Sequence, residues 1–143
     1  MLRNIPAILS PDLLWTLRAM GHGDDLVIAD ANFPATALGA RCHRLDGLTA
    51  TEVLQAVLTV LPLDKFVQHP ALVMQVVDDP EAVPSIVVEF QKITTTTADN
   101  PAKLDKLERF DFYDRAKTAF AIIQTGETRL YGNIILKKGV IGA

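Results

Sequence analysis

Short apolar runs of strand length alternate with helix-patterned segments along the whole of this chain, and this alternation most restricts its fold. The runs occupy residues 25–30, 71–77, 119–124 and 133–136. They lack the polar alternation of a sheet that faces water on one side, so they indicate strands buried on both faces. The sequence therefore predicts a single α/β domain over residues 1–143, with a layered sheet covered by helices on both faces.

Helix signals lie between these runs. Ser10 followed by Pro11 predicts a helix start, and Gly21 is a natural residue to follow the helix end. Thr49 and Glu52 predict a capping box at the start of a second helix. We expect further helices at 84–93 and 110–117, a short strand at 41–45, a loop at 31–40, and a turn or linker at the threonine run 94–97.

Composition excludes several classes of protein. A net charge of -3 argues against a nucleic-acid binder that relies on a broad basic surface. No apolar run reaches the roughly 18 residues of a membrane-spanning helix, and the first residues lack the apolar core of a signal peptide, so we expect a cytoplasmic protein without a membrane segment. Cys42 is the only cysteine, which excludes an intrachain disulfide and indicates a free buried thiol.

The first candidate site cluster contains His22 and Asp30. Glycines flank His22, and histidine can donate or accept a proton near neutral pH. The alternative role for His22 is stabilisation of the preceding helix terminus. Asp30 follows a buried strand, where ligands of α/β sheets tend to bind, although an Asx turn would explain it equally. Asp24 and Asp25 are expected to be turn residues.

The second candidate cluster comes from the C-terminal third. Arg109 and Tyr113 are four residues apart and share a helix face, which suits a polyhydroxylated ligand. A surface arginine beside a partly buried tyrosine is the alternative. Tyr131 and Asn133 precede the last strand, and Gly132 between them would let the backbone approach a ligand, although the tripeptide alone is also a plain turn.

Other chemistries lack their motifs. The chain has no GxGxxG segment and no phosphate-binding loop with lysine. His22, His43 and His69 are too scattered for a short metal-binding motif, and no serine or cysteine has the setting of a nucleophile. Acid–base chemistry on hydroxyl groups remains, and it needs no cofactor and no metal.

The clusters together resemble the sugar mutarotase family that contains L-fucose mutarotase and D-ribose pyranase. The resemblance covers most of the chain, and its least family-like part is 68–100. Its ordered motifs are LSPDLL (9–14), MGHGD (20–24), DANFP (30–34), DGL (46–48), RFDFY (109–113), AFAI (119–122), TGE (125–127) and YGNIILKKGV (131–140). HGD, RFDFY and YGN are similar to the L-fucose branch of that family.

The resemblance implies the fold of D-ribose pyranase and L-fucose mutarotase. It also implies a proton-donor role for His22, and sugar-binding roles for the other site residues, which are Asp30, Arg109, Tyr113, Tyr131 and Asn133. It further implies a ring-shaped homodecamer whose pockets are each completed by a neighbouring subunit. The positive mean hydropathy of +0.21 is compatible with apolar surface buried between subunits.

The leading hypothesis from the sequence is an isomerase that interconverts the α and β anomers of a free monosaccharide, with L-fucose first among the candidates. His22 and Asp30 are its candidate catalytic residues. Two other hypotheses remain open at this point. One is a sugar-binding or sensing module with little catalysis, and the other is a scaffold protein whose polar clusters are turns.

Overall fold

A computed structural model describes residues 1–142 of the chain as five helices around one six-stranded sheet. The strands are β1 (Asp25–Ala29), β2 (Cys42–Leu45), β3 (Ala71–Met74), β4 (Asp105–Leu107), β5 (Ala121–Thr125) and β6 (Ile134–Lys137). The helices are α1 (Pro11–Ala19), α2 (Ala35–Leu38), α3 (Ala50–Leu58), α4 (Ser85–Thr97) and α5 (Arg109–Thr118). Within residues 1–142, none of the helices has the length and apolar character needed to span a membrane.

The sheet order β2-β5-β1-β6-β3-β4 defines where a site can form. β6 runs antiparallel to both of its neighbours, β1 and β3, whereas the other paired strands are parallel. Strands β1 to β5 therefore all end at one edge of the sheet, which we call the carboxyl edge, and β6 begins there. At the opposite edge, which we call the amino edge, β1 to β5 begin and β6 ends.

The sheet is covered on both faces, as the sequence predicts. Side chains of adjacent residues in a strand point to opposite faces. Leu26 and Ile28 of β1 accordingly pack with α1, α3 and α4, whereas Val27 and Ala29 pack with α2 and α5. Phe90 is a large buried side chain of the first layer, and all four of these β1 residues are fully buried.

The predicted helix starts are confirmed in detail. The Ser10 hydroxyl accepts a hydrogen bond from the Leu13 amide, and Pro11 opens α1. Both halves of the capping box are present at α3, where the Thr49 hydroxyl accepts from the Glu52 amide and the Glu52 carboxylate accepts from the Thr49 amide. Local side-chain chemistry therefore determines these two boundaries.

Two local predictions are wrong, and the sequence analysis misses one strand. The threonine run 94–97 continues α4, where the hydroxyls of Thr95 and Thr96 donate to backbone carbonyls of the preceding turn without breaking the helix. The expected loop 31–40 contains the short helix α2. Strand β4 was not predicted, because an edge strand with the sequence DKL presents no apolar run.

Candidate active site

A cavity of about 210 Å³ opens at the carboxyl edge and is lined by five of the six predicted site residues. Asp30 follows β1, Arg109 and Tyr113 come from α5 directly after β4, and Tyr131 and Asn133 precede β6. Asp30 and Asn133, the first and last of the five, are 103 residues apart in sequence. The strand directions nevertheless bring all five residues to one edge. The sequence prediction that these side chains share a site is consistent with this placement.

Asp30 and Asn133 form a reciprocal hydrogen-bonded pair at the base of the cavity. The Asn133 Nδ2 donates to Asp30 Oδ2 at 2.8 Å, and the Asp30 backbone amide donates to Asn133 Oδ1 at 2.8 Å. Asp30 Oδ1 also accepts from the Asn32 amide at 2.9 Å, so the Asx turn expected as the alternative is present, and the same residue lines the cavity. Both side chains are about 95% buried, and the pairing fixes the orientation of the carboxylate.

Arg109 and Tyr113 share the inner face of α5, four residues apart. The Tyr113 ring packs on Phe33 with 5.5 Å between the ring centroids. The Nε atom of Arg109 is buried and has no hydrogen-bond partner among residues 1–142, while its guanidinium lies over the Phe110 ring. A buried unpaired donor costs free energy unless a ligand or water accepts from it. Arg109 is therefore available to bind a hydroxyl oxygen.

Tyr131 is held in a left-handed backbone conformation, with a φ angle of 62°. This conformation is rare for a bulky residue, and the side chain reaches the turn that follows β3. There the Tyr131 hydroxyl accepts a hydrogen bond from the Val77 amide at 3.1 Å. Because its oxygen accepts from the backbone, the hydroxyl hydrogen remains available to a ligand.

Gly132 allows a close approach within the chain itself. A Cβ atom at this position would lie 2.8 Å from Cγ of Glu127 and 3.1 Å from the Arg129 carbonyl oxygen. The sequence predicts an approach to a ligand here, whereas the neighbour that fills this space is the Glu127 side chain. Any larger residue would displace the turn that carries Tyr131 and Asn133.

Glu127 and Arg129 brace this turn. The Arg129 guanidinium donates to both carboxylate oxygens of Glu127, at 2.9 and 3.0 Å, and to Glu89 on α4 at 2.8 Å. The hydrogen bonds from Arg129 hold the pKa of the buried Glu127 below its usual range, although burial acts in the opposite direction. The same two carboxylates raise the pKa of Arg129. The sequence analysis did not single out either residue.

His22, the sixth predicted residue, lies at the amino edge and does not line this cavity. It precedes β1 while Asp30 follows it, so a strand of about 16 Å separates their two ends of the sheet. The His22 Nε2 is 3.1 Å from Oδ1 of Asp64, and the Phe66 ring lies 5.4 Å from the imidazole, measured between centroids. The side chain of His22 is 47% exposed, whereas that of Asp64 is 3% exposed.

The carboxylates near His22 have separate structural roles. Asp24 accepts from the Gly21 amide at 2.7 Å and is a turn residue, as expected. Asp25 is the first residue of β1 and pairs with Arg115 and Lys137 at 2.8 and 3.0 Å, so its expected role as a turn residue is wrong. The ion pairs instead tie β1 to α5 and β6 at the amino edge.

Cys42 departs from the sequence prediction. It is free, but it is only half-buried because it lies on the edge strand β2, so the expected burial of its thiol is wrong. Residues 1–142 contain no cluster of three or more histidine, cysteine, aspartate or glutamate side chains suited to a metal ion.

Known proteins are similar to this chain in sequence as well as in fold. The model of the RbsD / FucU transport protein family matches residues 3–141. The chain belongs to this family. It is 49% identical over 146 residues to the fucose mutarotase of Homo sapiens, with 98% of this chain and 94% of the human protein covered.

Two solved structures resemble this chain to different degrees. The fucose mutarotase of Streptococcus pneumoniae in complex with L-fucose has a TM-score of 0.91 and 42% identity, covering 99% of this chain and 100% of that one. Bacillus subtilis RbsD complexed with D-ribose has a TM-score of 0.75 at 21% identity, covering 99% and 100%, and so shares the fold alone. The predicted fold and the similarity to the fucose branch are confirmed.

Proposed function

We propose that this protein is a mutarotase that interconverts the α and β anomers of free L-fucose or a closely related monosaccharide. Its relatives named for this activity match nearly the whole chain. The observation that carries the proposal for this chain is the cavity at the carboxyl edge. It presents a carboxylate, an unpaired guanidinium donor, two phenols and an amide to one small ligand, as recognition of several sugar hydroxyls requires.

The reaction is a reversible ring opening. One proton is added to the ring oxygen and one is removed from the anomeric hydroxyl, so the bond between the ring oxygen and the anomeric carbon breaks and an aldehyde forms. Rotation about the adjacent C–C bond then exposes the other face of the aldehyde, and the reverse proton transfers close the ring. His22 donates the first proton, and Asp30, a bound water or a tyrosine accepts the second.

The site is formed between two copies of the chain in this proposal. Within one chain, His22 and Asp30 lie at opposite edges of the sheet, so they cannot act on the same sugar molecule. A neighbouring copy supplies His22 to the cavity, as the homodecamer implied by the resemblance would require. Exposed apolar side chains beside each half support this contact: Phe66 beside His22, and Leu130 at the cavity.

Mixing two inactive variants tests this arrangement. His22→Ala and Asp30→Ala should each lose the acceleration of anomer exchange, which saturation-difference NMR on L-fucose measures directly. After subunit exchange in an equal mixture, about one site in four should contain both intact residues, and activity should return to that level. No recovery in a mixture that has demonstrably exchanged subunits would exclude a shared site.

The unmixed protein distinguishes catalysis from binding alone. Wild-type protein is expected to accelerate anomer exchange of L-fucose at catalytic concentration. Binding of L-fucose without faster exchange would overturn the proposal and leave a sugar-binding module. A panel with D-ribose and other 6-deoxy sugars identifies the preferred substrate. The cytoplasmic location expected from the sequence stays a prediction.

A further inference from the structure

One short segment, Asp64 to Phe66, contacts the His22 imidazole on two sides. Asp64 Oδ1 lies 3.1 Å from Nε2 of the ring, and the Phe66 ring packs against the imidazole at an interplanar angle of 57°. The Phe66 amide donates to the same Asp64 oxygen at 3.1 Å, which joins the two contacts in one turn. The imidazole is thus contacted at Nε2 by a carboxylate and at a second place by a tilted aromatic ring.

The segment itself is anchored firmly. The Asp64 amide donates to the Lys137 carbonyl at 3.0 Å, and its carbonyl accepts from the Asn100 side chain at 2.8 Å. The Leu63 amide, one residue earlier, donates to Asp99 at 2.9 Å. The chain on both sides of Asp64 is therefore fixed to β6 and to the turn after α4, and the carboxylate has little freedom to follow a moving imidazole.

Asp64 is buried, yet it stays a carboxylate. Burial alone would raise its pKa, but hydrogen bonds from the Phe66 amide and from His22 hold the pKa of Asp64 below its usual range. An Asx turn with Phe66 needs only a side-chain oxygen, which asparagine supplies without the cost of burying a charge. The negative charge therefore has a use that the turn does not explain.

We propose that Asp64 is a positioning residue for His22, an inference that rests on the proposed function above. The ionised carboxylate accepts from Nε2–H, which fixes the imidazole in one tautomer and leaves Nδ1 directed away from Asp64. When the ring takes up a second proton, at Nδ1, the nearby negative charge stabilises the cation that delivers this proton to the sugar ring oxygen. In a Ser-His-Asp triad, a buried aspartate likewise orients the histidine by a hydrogen bond and stabilises its cationic form.

Asp64→Asn tests the charge, and Asp99→Asn is the matched control. Asparagine keeps the volume of Asp64 and an oxygen for the Phe66 amide, so the turn is retained. Asp99 contacts the same segment through Leu63 but does not contact His22. We expect Asp64→Asn to lower the kcat for anomer exchange by about 10- to 100-fold, with the Kd for L-fucose changed less than about 2-fold. Asp99→Asn should retain near-wild-type kcat.

The pH dependence of the rate is a second readout, which looser packing alone would not shift. Without the Asp64 charge, the rate of anomer exchange should be half-maximal at a lower pH than in the wild-type protein. Other charged groups around this turn are Lys65 and Asp99, which pair at 3.8 Å, Asp24 beside Gly21, and Lys137, whose Nζ donates to the Gly23 carbonyl at 2.9 Å. These groups are unchanged in Asp64→Asn. A profile that coincides with wild type would overturn the inference, as would equal losses of kcat in the two variants.

A measurement on the wild-type protein separates this inference from the proposed function. Long-range 15N–1H NMR of the His22 ring reports which nitrogen carries the proton in the neutral form, whether or not the protein is active. We expect protonated Nε2. Protonated Nδ1 would overturn the role of Asp64 even in an active mutarotase. Correct Nε2 protonation in a protein that does not accelerate anomer exchange would overturn the proposed function alone.

Discussion

Two buried carboxylates, one at each edge of the sheet, are paired in opposite ways. At the carboxyl edge, Asp30 pairs with the amide of Asn133 and lines a cavity. At the amino edge, Asp64 pairs with the imidazole of His22 and turns away from solvent, while the imidazole is half exposed. In the proposed mechanism, the first pair presents a fixed acceptor to the sugar and the second presents the proton donor. That mechanism separates binding from proton donation within one chain.

His22→Gln should give the largest effect and tests that separation. Glutamine can still donate to Asp64 through Nε2, so the amino edge keeps its packing, but it cannot exchange a proton near neutral pH. We expect kcat for anomer exchange to fall by about 10²–10⁴-fold, with little change in the Kd for L-fucose. NMR exchange rates and titration calorimetry measure the two quantities. A variant that keeps its rate would contradict the role of His22 as proton donor.

Asn133→Ala should give the next largest effect, and on stability as well as binding. It leaves the Asp30 amide and one carboxylate oxygen buried without partners, which we expect to cost about 2–4 kcal/mol in the free energy of unfolding. L-fucose affinity should fall too, because the carboxylate loses its fixed orientation. Urea unfolding measures the stability. A loss as small as that of a surface substitution would show that water replaces the amide without cost.

Most of the fold follows from local sequence signals, and the exceptions have physical causes. Mostly apolar runs predict β1, β3, β5 and β6, and side-chain caps predict the starts of α1 and α3. The prediction for the threonine run is wrong because threonine has a weak helix propensity, which packing of α4 against α3 overrides. The edge strand β4 carries two charged residues and pairs with β3 alone, so only tertiary structure identifies it.

The residues of the candidate sites are likewise predictable only where a local sequence signal marks them. Asp30 and Asn133 are predictable because each adjoins a buried strand, and the direction of β6 then brings them to the same edge. The i, i+4 spacing of Arg109 and Tyr113 likewise predicts their shared face. Asp64 carries no such signal, since it is a single acidic residue in the connection between α3 and β3, and its contact with His22 spans 42 positions in sequence. Long-range pairs of this kind require coordinates.

Glu127→Gln tests the electrostatic brace at the carboxyl edge through pH. The pKa of Glu127 is lowered in the folded protein, mainly by hydrogen bonds from Arg129, so its stabilisation is complete above the ordinary value of 4.5 and is lost as the pH falls below it. We expect the variant to lose about 1–3 kcal/mol at pH 7 and to show a flatter decline in acid. Unfolding at a series of pH values checks this, and parallel curves for both proteins would contradict it.

Glu89→Gln should give the smallest effect of these substitutions. It allows a comparison of two carboxylates that pair with the same arginine. Glu89 and Glu127 both accept from Arg129, but the Glu89 side chain is 49% exposed, whereas that of Glu127 is 3% exposed. Water and salt screen the exposed pair, so the loss should be about 0.2–1 kcal/mol and should shrink further in high salt. Anomer exchange should be unchanged, because Glu127 still braces the turn that carries Tyr131. A loss equal to that of Glu127→Gln would mean that the link to α4, rather than the buried pair, holds this side of the cavity.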